Sequence, residues 1–222
     1  MTENPLVAAQ AGPGPELVPA RTALLVVDMV NWQVAPDGAL VTWAADAGID
    51  TGYLRDRVAT RVVPHIAALA RRCREVGITV AYLRIGCRLP DHRDAVPGLR
   101  PLTAAADARD GTWSCAVVDE LAPEPGDLDL VKTGSSPWLT SDLHPTLQHM
   151  GITTLLHTGV MTDACVLNGT FGAWDLGYDG HLVTDATATW DADRQAAAER
   201  VLRGTAHLST TAELLARLAD LA

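Results

Sequence analysis

At 222 residues, 48% of them hydrophobic, the chain is long enough to bury one substantial core, and a formal charge of −10 with scattered rather than blocked acidic residues argues against a nucleic-acid surface. No apolar run reaches the roughly eighteen residues of a membrane span, and residues 1–20 lack the basic start and apolar core of a signal peptide. The expectation is a cytoplasmic protein with no membrane and no nucleic-acid partner, acting on a small-molecule substrate.

Residues 1–20, interrupted by Pro5, Pro13, Pro15 and Pro19, read as a flexible N-terminal arm before a single domain at 21–222. The continuous apolar run 23–27 is the mark of a strand buried on both faces, and it stops at Asp28. An irregular stretch with short helical pieces follows at 31–52. Leu54, Val58, Val62, Ile66, Leu69, Cys73 and Val76 recur at steps of three and four, so they form one helix face closed by Gly77, with Pro64 marking either a kink or the start of the main helix. Cys73 on that face reads as a core residue.

A second strand is expected at 78–83, a long surface excursion at 84–111, a short helical piece at 117–121 and a third strand at 128–131 that ends in Lys132. After the loop 133–138 come a helix at 140–150 and a fourth strand at 152–157. A Gly159 turn then leads into a helix carrying Cys165 in its first turn. A fifth strand at 181–184, a helix at 192–202, a short strand at 207–210 and a last helix at 212–221 complete the chain. This alternation predicts an α/β, Rossmann-like three-layer sandwich: a six-stranded, mostly parallel sheet with helices on both faces. Such sheets bind ligands outside the carboxyl ends of their strands, where Asp28, Lys132 and the turn before Cys165 all fall.

Those three residues suit nucleophilic attack on a carbonyl. The unpaired N–H groups and positive dipole end of a helix favour a thiolate at Cys165 and offer donors to an oxyanion. Asp28 can act as the base, and Lys132 supplies a cation. The remaining cysteines, Cys73, Cys87 and Cys115, form no CxxC pair with one another or with Cys165, so neither a zinc ribbon nor a thioredoxin motif is present and free thiols are the default. His157 and His181 sit in strands and read as core residues, while Thr162 and Asn168 read as supports of the turn.

The segments Leu24-Leu25-Val26-Val27-Asp28-Met29, Gly111-Thr112-Trp113 with Val117-Val118-Asp119-Glu120-Leu121, Lys132 with Ser136-Pro137-Trp138, Thr158-Gly159-Val160-Met161-Thr162-Asp163-Ala164-Cys165-Val166, and Asp175-Leu176-Gly177-Tyr178 through Asp185-Ala186 together resemble the isochorismatase-like cysteine hydrolases. These include nicotinamidases, N-carbamoylsarcosine amidase, biuret hydrolase and ureidoacrylate amidohydrolase. The resemblance covers roughly residues 20–210. It implies a catalytic triad of Asp28, Lys132 and Cys165, a cis peptide between Val160 and Met161, and an oxyanion hole from the Met161 and Cys165 amides. It also implies hydrolysis of a small amide, ureido or lactam-like C–N bond through a thioester, and a homodimer or homotetramer.

Several positions depart from the family pattern. Val30 and Gln33 stand where the family often has Gln and an aromatic, Trp138 replaces the usual Phe, and residues 83–92 do not reproduce the Asp-x-His cluster of zinc-binding members. No metal and no cofactor are therefore expected. Trp32 and Trp138 read as walls of a substrate pocket or as core, and Arg84 and Arg88 as a clamp for a substrate carboxylate or as solvated loop residues. Two other functions stay open: vinyl ether hydrolysis by Asp28 without covalent catalysis, and a redox-sensing scaffold. Because Asp28 and Lys132 lie at strand ends, replacing either is expected to lower turnover far more than stability.

Overall fold

The apolar run becomes β1 (Thr22–Val27), buried at every residue because it lies mid-sheet and is covered on both faces. The computed structural model describes residues 14–221 together with Val7 and Gly12, so most of the expected arm lies outside the described residues. From residue 14 onward the chain rests on the body: Leu17 is buried, and the Pro15 carbonyl accepts a hydrogen bond from Arg217. Among the described residues no helix is long and apolar enough to cross a membrane.

β2 (Thr79–Ile85), β3 (Leu128–Lys132), β4 (Thr154–Val160), β5 (Asp179–Ala188) and β6 (His207–Ser209) join β1 in one sheet of order β3-β2-β1-β4-β5-β6, with every pairing parallel. The order reverses between β1 and β4, so the chain crosses one way to build β2 and β3 and the other way to build β5 and β6. Open α/β sheets bind ligands at such a switch point, which here lies at the carboxyl ends of β1 and β4.

The alternation of β1 decides which helices cover which face. Leu24 and Val26 pack with Val62, Ile66 and Leu69 and with Leu214 and Leu218. These come from the long helical stretch of α3 (Gly52–Arg57), a π-helical turn at Val58–Val62 and α4 (Val63–Glu75), and from the C-terminal helix Thr211–Ala219. Pro64 comes just after the π-helical turn, inside a continuous helical stretch, so it neither ends the helix nor begins a separate one. Ala23, Leu25 and Val27 face the opposite cluster with Leu143, Leu147, Val166, Ala173 and Leu202. Those side chains come from the helices Leu143–His149, Leu167–Asp175 and Ala192–Leu202 and from the turn before Leu167. The short helices α1 (Asn31–Val34) and α2 (Ala39–Asp46) lie between β1 and α3 in the chain.

Three strands run past their expected ends. β2 includes Arg84, which is largely buried and pairs with Val131 on β3. β4 continues to Val160 because Gly159 serves the sheet rather than a turn: at φ 100° it pairs with Val27, and a Cβ there would lie 2.0 Å from the Val27 carbonyl oxygen. β5 runs through Asp185 to Ala188, after a shift of register opposite His157 and Gly159. The Asp185 carboxylate instead accepts hydrogen bonds from the amide and hydroxyl of Thr211 at the start of the last helix. The helix expected at 140–150 is divided at Ser141, into Pro137–Thr140 and Leu143–His149.

His157 sits in the middle of β4 with both ring nitrogens buried and unpartnered. Gly180 on β5 leaves room for its ring, since a Cβ there would stand 3.1 Å from Nε2. Burial, with the neighbouring His181, pushes the His157 pKa down to about 3. The unfolded chain takes up this proton near the ordinary value of 6.5 and the folded chain does not, so stability falls as pH drops from 6.5 toward 3. A single such group contributes up to about 1.4 kcal/mol per pH unit. Thermal unfolding across this range should show a steeper loss in the wild type than in His157→Leu, and equal slopes would contradict the assignment.

Candidate active site

Asp28 follows the last residue of β1 and takes φ 55°, a left-handed conformation that Asp tolerates better than most residues. This turn, fixed by a hydrogen bond from the Asp28 amide to the Leu83 carbonyl, leaves the carboxylate fully buried at the carboxyl edge. Lys132 ends β3, also fully buried, and its Nζ lies 2.8 Å from Asp28 Oδ2. The same ammonium donates to the Gly134 carbonyl at 3.1 Å, which ties the following loop to the ion pair.

Cys165 reaches the pair from the other side of the switch point. It lies in a π-helical turn, Thr162–Val166, that runs into the helix Leu167–Asp175, and its thiol is close enough to Asp28 and Lys132 to feel both charges. The peptide between Val160 and Met161 at the head of this turn is cis. Side chains from distant elements hold the turn. Thr162 donates to Gln195, which donates in turn to Thr187 and Glu199, while Asp163 accepts from Thr189 and Arg194.

The electrostatics depart from the expectation of a thiolate favoured by the helix end. Burial first, and then the Asp28 charge, push the Cys165 pKa up to about 12, with Lys132 and a hydrogen bond from Ser135 opposing them. Burial also raises the Asp28 pKa, against the pull of Lys132 and of hydrogen bonds from Lys132, Cys165 and the Ile85 amide. For Lys132, burial works against the ammonium, but the Asp28 carboxylate and the Cys165 sulfur outweigh it and the pKa is raised. The resting arrangement is a neutral thiol beside a carboxylate–ammonium pair. A helix dipole acts with about half a unit charge, and here it is set against a full negative charge in contact and the loss of water.

A family model for the isochorismatase domain matches residues 22–213. The chain belongs to the isochorismatase family. It is 31% identical over 183 residues to the ureidoacrylate amidohydrolase of Caulobacter vibrioides, covering 76% of this chain and 77% of that protein. Among solved structures, a cysteine hydrolase from Pseudomonas syringae superposes with a TM-score of 0.80 at 22% identity, covering 96% of this chain and all of that one (100%). The N-carbamoylsarcosine amidase of Thermoplasma acidophilum gives 0.65 at 26% identity, covering 86% and 96%. This isochorismatase-family chain is a hydrolase of C–N bonds.

Trp32 is buried, with its indole N–H donating to the Ile85 carbonyl at 3.0 Å, so it braces α1 against the end of β2. Trp138 donates to the Gly169 carbonyl and stacks on Tyr178, clamping residues 133–138 to the helix after Cys165. Arg84 is committed to Asp110 and Asp129 and to the Cys115 carbonyl, and the exposed Arg88 donates to the Val131 carbonyl. The four cysteines are free and buried. Burial raises the pKa of Cys73 to about 12 and of Cys115 to about 11. Among the described residues no group of three or more His, Cys, Asp or Glu is arranged to hold a metal. A groove of 650 Å³ between α1, the α3–α4 junction and residues 113–120 includes Asn31 and Trp113 but none of Asp28, Lys132 or Cys165.

Complete burial of Asp28 and Lys132 removes the ground for expecting turnover to fall far more than stability, because a strand end here is not outside the core. Removing one partner of a buried pair costs about 3–5 kcal/mol. Lys132→Ala should lower the melting temperature markedly, whereas Asp28→Asn with Lys132→Met, which removes both charges, should recover most of that loss. A double variant that melts no higher than Lys132→Ala would contradict this view of the pair.

Proposed function

We propose that the chain is a cysteine-dependent amidohydrolase that cleaves a small amide or ureido C–N bond through a thioester on Cys165. The observation that carries this reading is the fully buried Asp28–Lys132 ion pair at the switch point of the sheet, with the buried Cys165 thiol near enough to feel both charges. A buried thiol with a pKa near 12 needs a base in contact, and Asp28 fills that role. As sulfur bonds to the carbonyl carbon, Asp28 takes the S–H proton and the carbonyl electron pair moves to oxygen. The Met161 and Cys165 amides receive that oxyanion. When the intermediate collapses, the C–N bond breaks and Asp28 passes its proton to the departing nitrogen. Water, deprotonated by Asp28, then attacks the thioester, and sulfur leaves and regains a proton.

Lys132 keeps Asp28 ionised between these transfers, and its own proton never moves. Cys165 is only 8% exposed, which fits a small substrate that fills the crevice. The named relatives act on ureidoacrylate and N-carbamoylsarcosine, both of which carry a carbamoyl nitrogen group. Ureido acids are accordingly the first members of a test panel, followed by simple amides and lactams.

The test is an ammonia-release screen over that panel combined with intact-mass analysis during turnover. An acyl adduct on Cys165, absent in Cys165→Ala, is expected, with Asp28→Asn lowering kcat/KM by about 10²–10⁴-fold. Hydrolysis that survives Cys165→Ala would overturn the covalent reading and favour Asp28 acting alone.

A further inference from the structure

We infer that Ser135 and Asn168 form a hydrogen-bond relay that holds the Cys165 sulfur as it gains negative charge, with Ser135 the donor to sulfur and Asn168 its positioning residue. The inference rests on Cys165 being the nucleophile. Ser135 Oγ stands 3.6 Å from Cys165 Sγ, within reach of an O–H···S bond. Asn168 Nδ2 stands 2.8 Å from the same Oγ.

The polarity of the chain follows from donor and acceptor chemistry. An amide nitrogen only donates, so Asn168 occupies a lone pair of Ser135 and leaves the hydroxyl proton free for sulfur. An amide oxygen in the same place would draw that proton away. Asn168 lies three residues after Cys165, on the same helical face, so both look toward residues 133–138.

The loop that carries Ser135 is held from several sides. Lys132 Nζ donates to the Gly134 carbonyl, Thr140 donates to the Ser136 carbonyl, and Trp138 donates to the Gly169 carbonyl. Gly134 admits no side chain without displacing Thr140 and Val96, each 2.9 Å from a Cβ placed there. Ser135 is thereby fixed against the sulfur by the same ion pair that activates it.

Once Asp28 has taken the thiol proton, the Ser135 hydroxyl gives the sulfur a donor that does not have to be recruited from water. The same donor steadies sulfur when it leaves from the thioester. Asp28 therefore removes the proton from one side of the sulfur, and Ser135 meets the charge from another.

The experiment measures alkylation of Cys165 by iodoacetamide as a function of pH, with peptide mapping to separate it from the other three cysteines. Removing a hydrogen bond to a charged group should slow Cys165 modification about 10-fold in Ser135→Ala. Ser135→Thr, which keeps the hydroxyl, should restore the rate. Asn168→Ala should slow it less, and Asn168→Ala added to Ser135→Ala should change nothing further. Profiles of Ser135→Ala and Asn168→Ala that superpose on the wild type, in proteins with unchanged melting temperature, would overturn the relay. A further loss in the double variant would overturn the coupling of Asn168 through Ser135. The readout needs no turnover, so full hydrolysis by Cys165→Ala would defeat the covalent reading by itself while the alkylation profiles still judge the relay.

Discussion

The Asp28–Lys132 ion pair is the interaction on which the site depends. Two opposite charges 2.8 Å apart, with neither side chain exposed, persist only where the fold forces them together and supplies further hydrogen bonds. The sheet does this by ending β1 and β3 at the same edge with β2 between them. The left-handed turn at Asp28 and the Leu83 carbonyl fix one partner, and the Gly134 carbonyl fixes the other. The desolvation cost of this pair is borne by the apolar layers on either face of β1, which anchor the strand independently of its chemistry.

The pair also sets the state of the thiol. Away from water, a thiolate at Cys165 would be repelled by the Asp28 charge, so the resting sulfur keeps its proton. A fully formed thiolate would be the better nucleophile but would cost the site two adjacent negative charges. The arrangement instead couples proton removal to attack: the proton moves to Asp28 as sulfur becomes bonded. The networks around the turn at residues 162–165, through Gln195, Thr189 and Arg194, serve this coupling by keeping the sulfur at the carboxylate.

Much of this was legible in the sequence, and the reason is local. A continuous apolar run stopped by Asp28, a short strand stopped by Lys132, and a strand–glycine–cysteine turn each announce a strand end without reference to the rest of the chain. Parallel topology then brings strand ends to one edge. What sequence did not yield depends on contacts between distant segments. The role of Gly159 as a close-approach residue in β4 follows from Val27, 132 positions earlier. The sign of the Cys165 shift follows from burial and from Asp28, neither of which a helix-end argument contains. Ser135 carries no signal of its own beside Ser136-Pro137-Trp138, and Asn168 reads only as a support of the turn, because their link to Cys165 exists only once the loop docks on the helix.

Cys165 rests as a neutral thiol, held so by burial and by Asp28. The most direct measurement is the ultraviolet thiolate absorbance of the wild-type protein against Cys165→Ala, followed with pH and repeated in Asp28→Asn. No thiolate signal from Cys165 is expected at neutral pH, with a rise only under strongly alkaline conditions and at lower pH once the Asp28 charge is removed. A thiolate already present at neutral pH in the wild type, or a titration unmoved by Asp28→Asn, would contradict it.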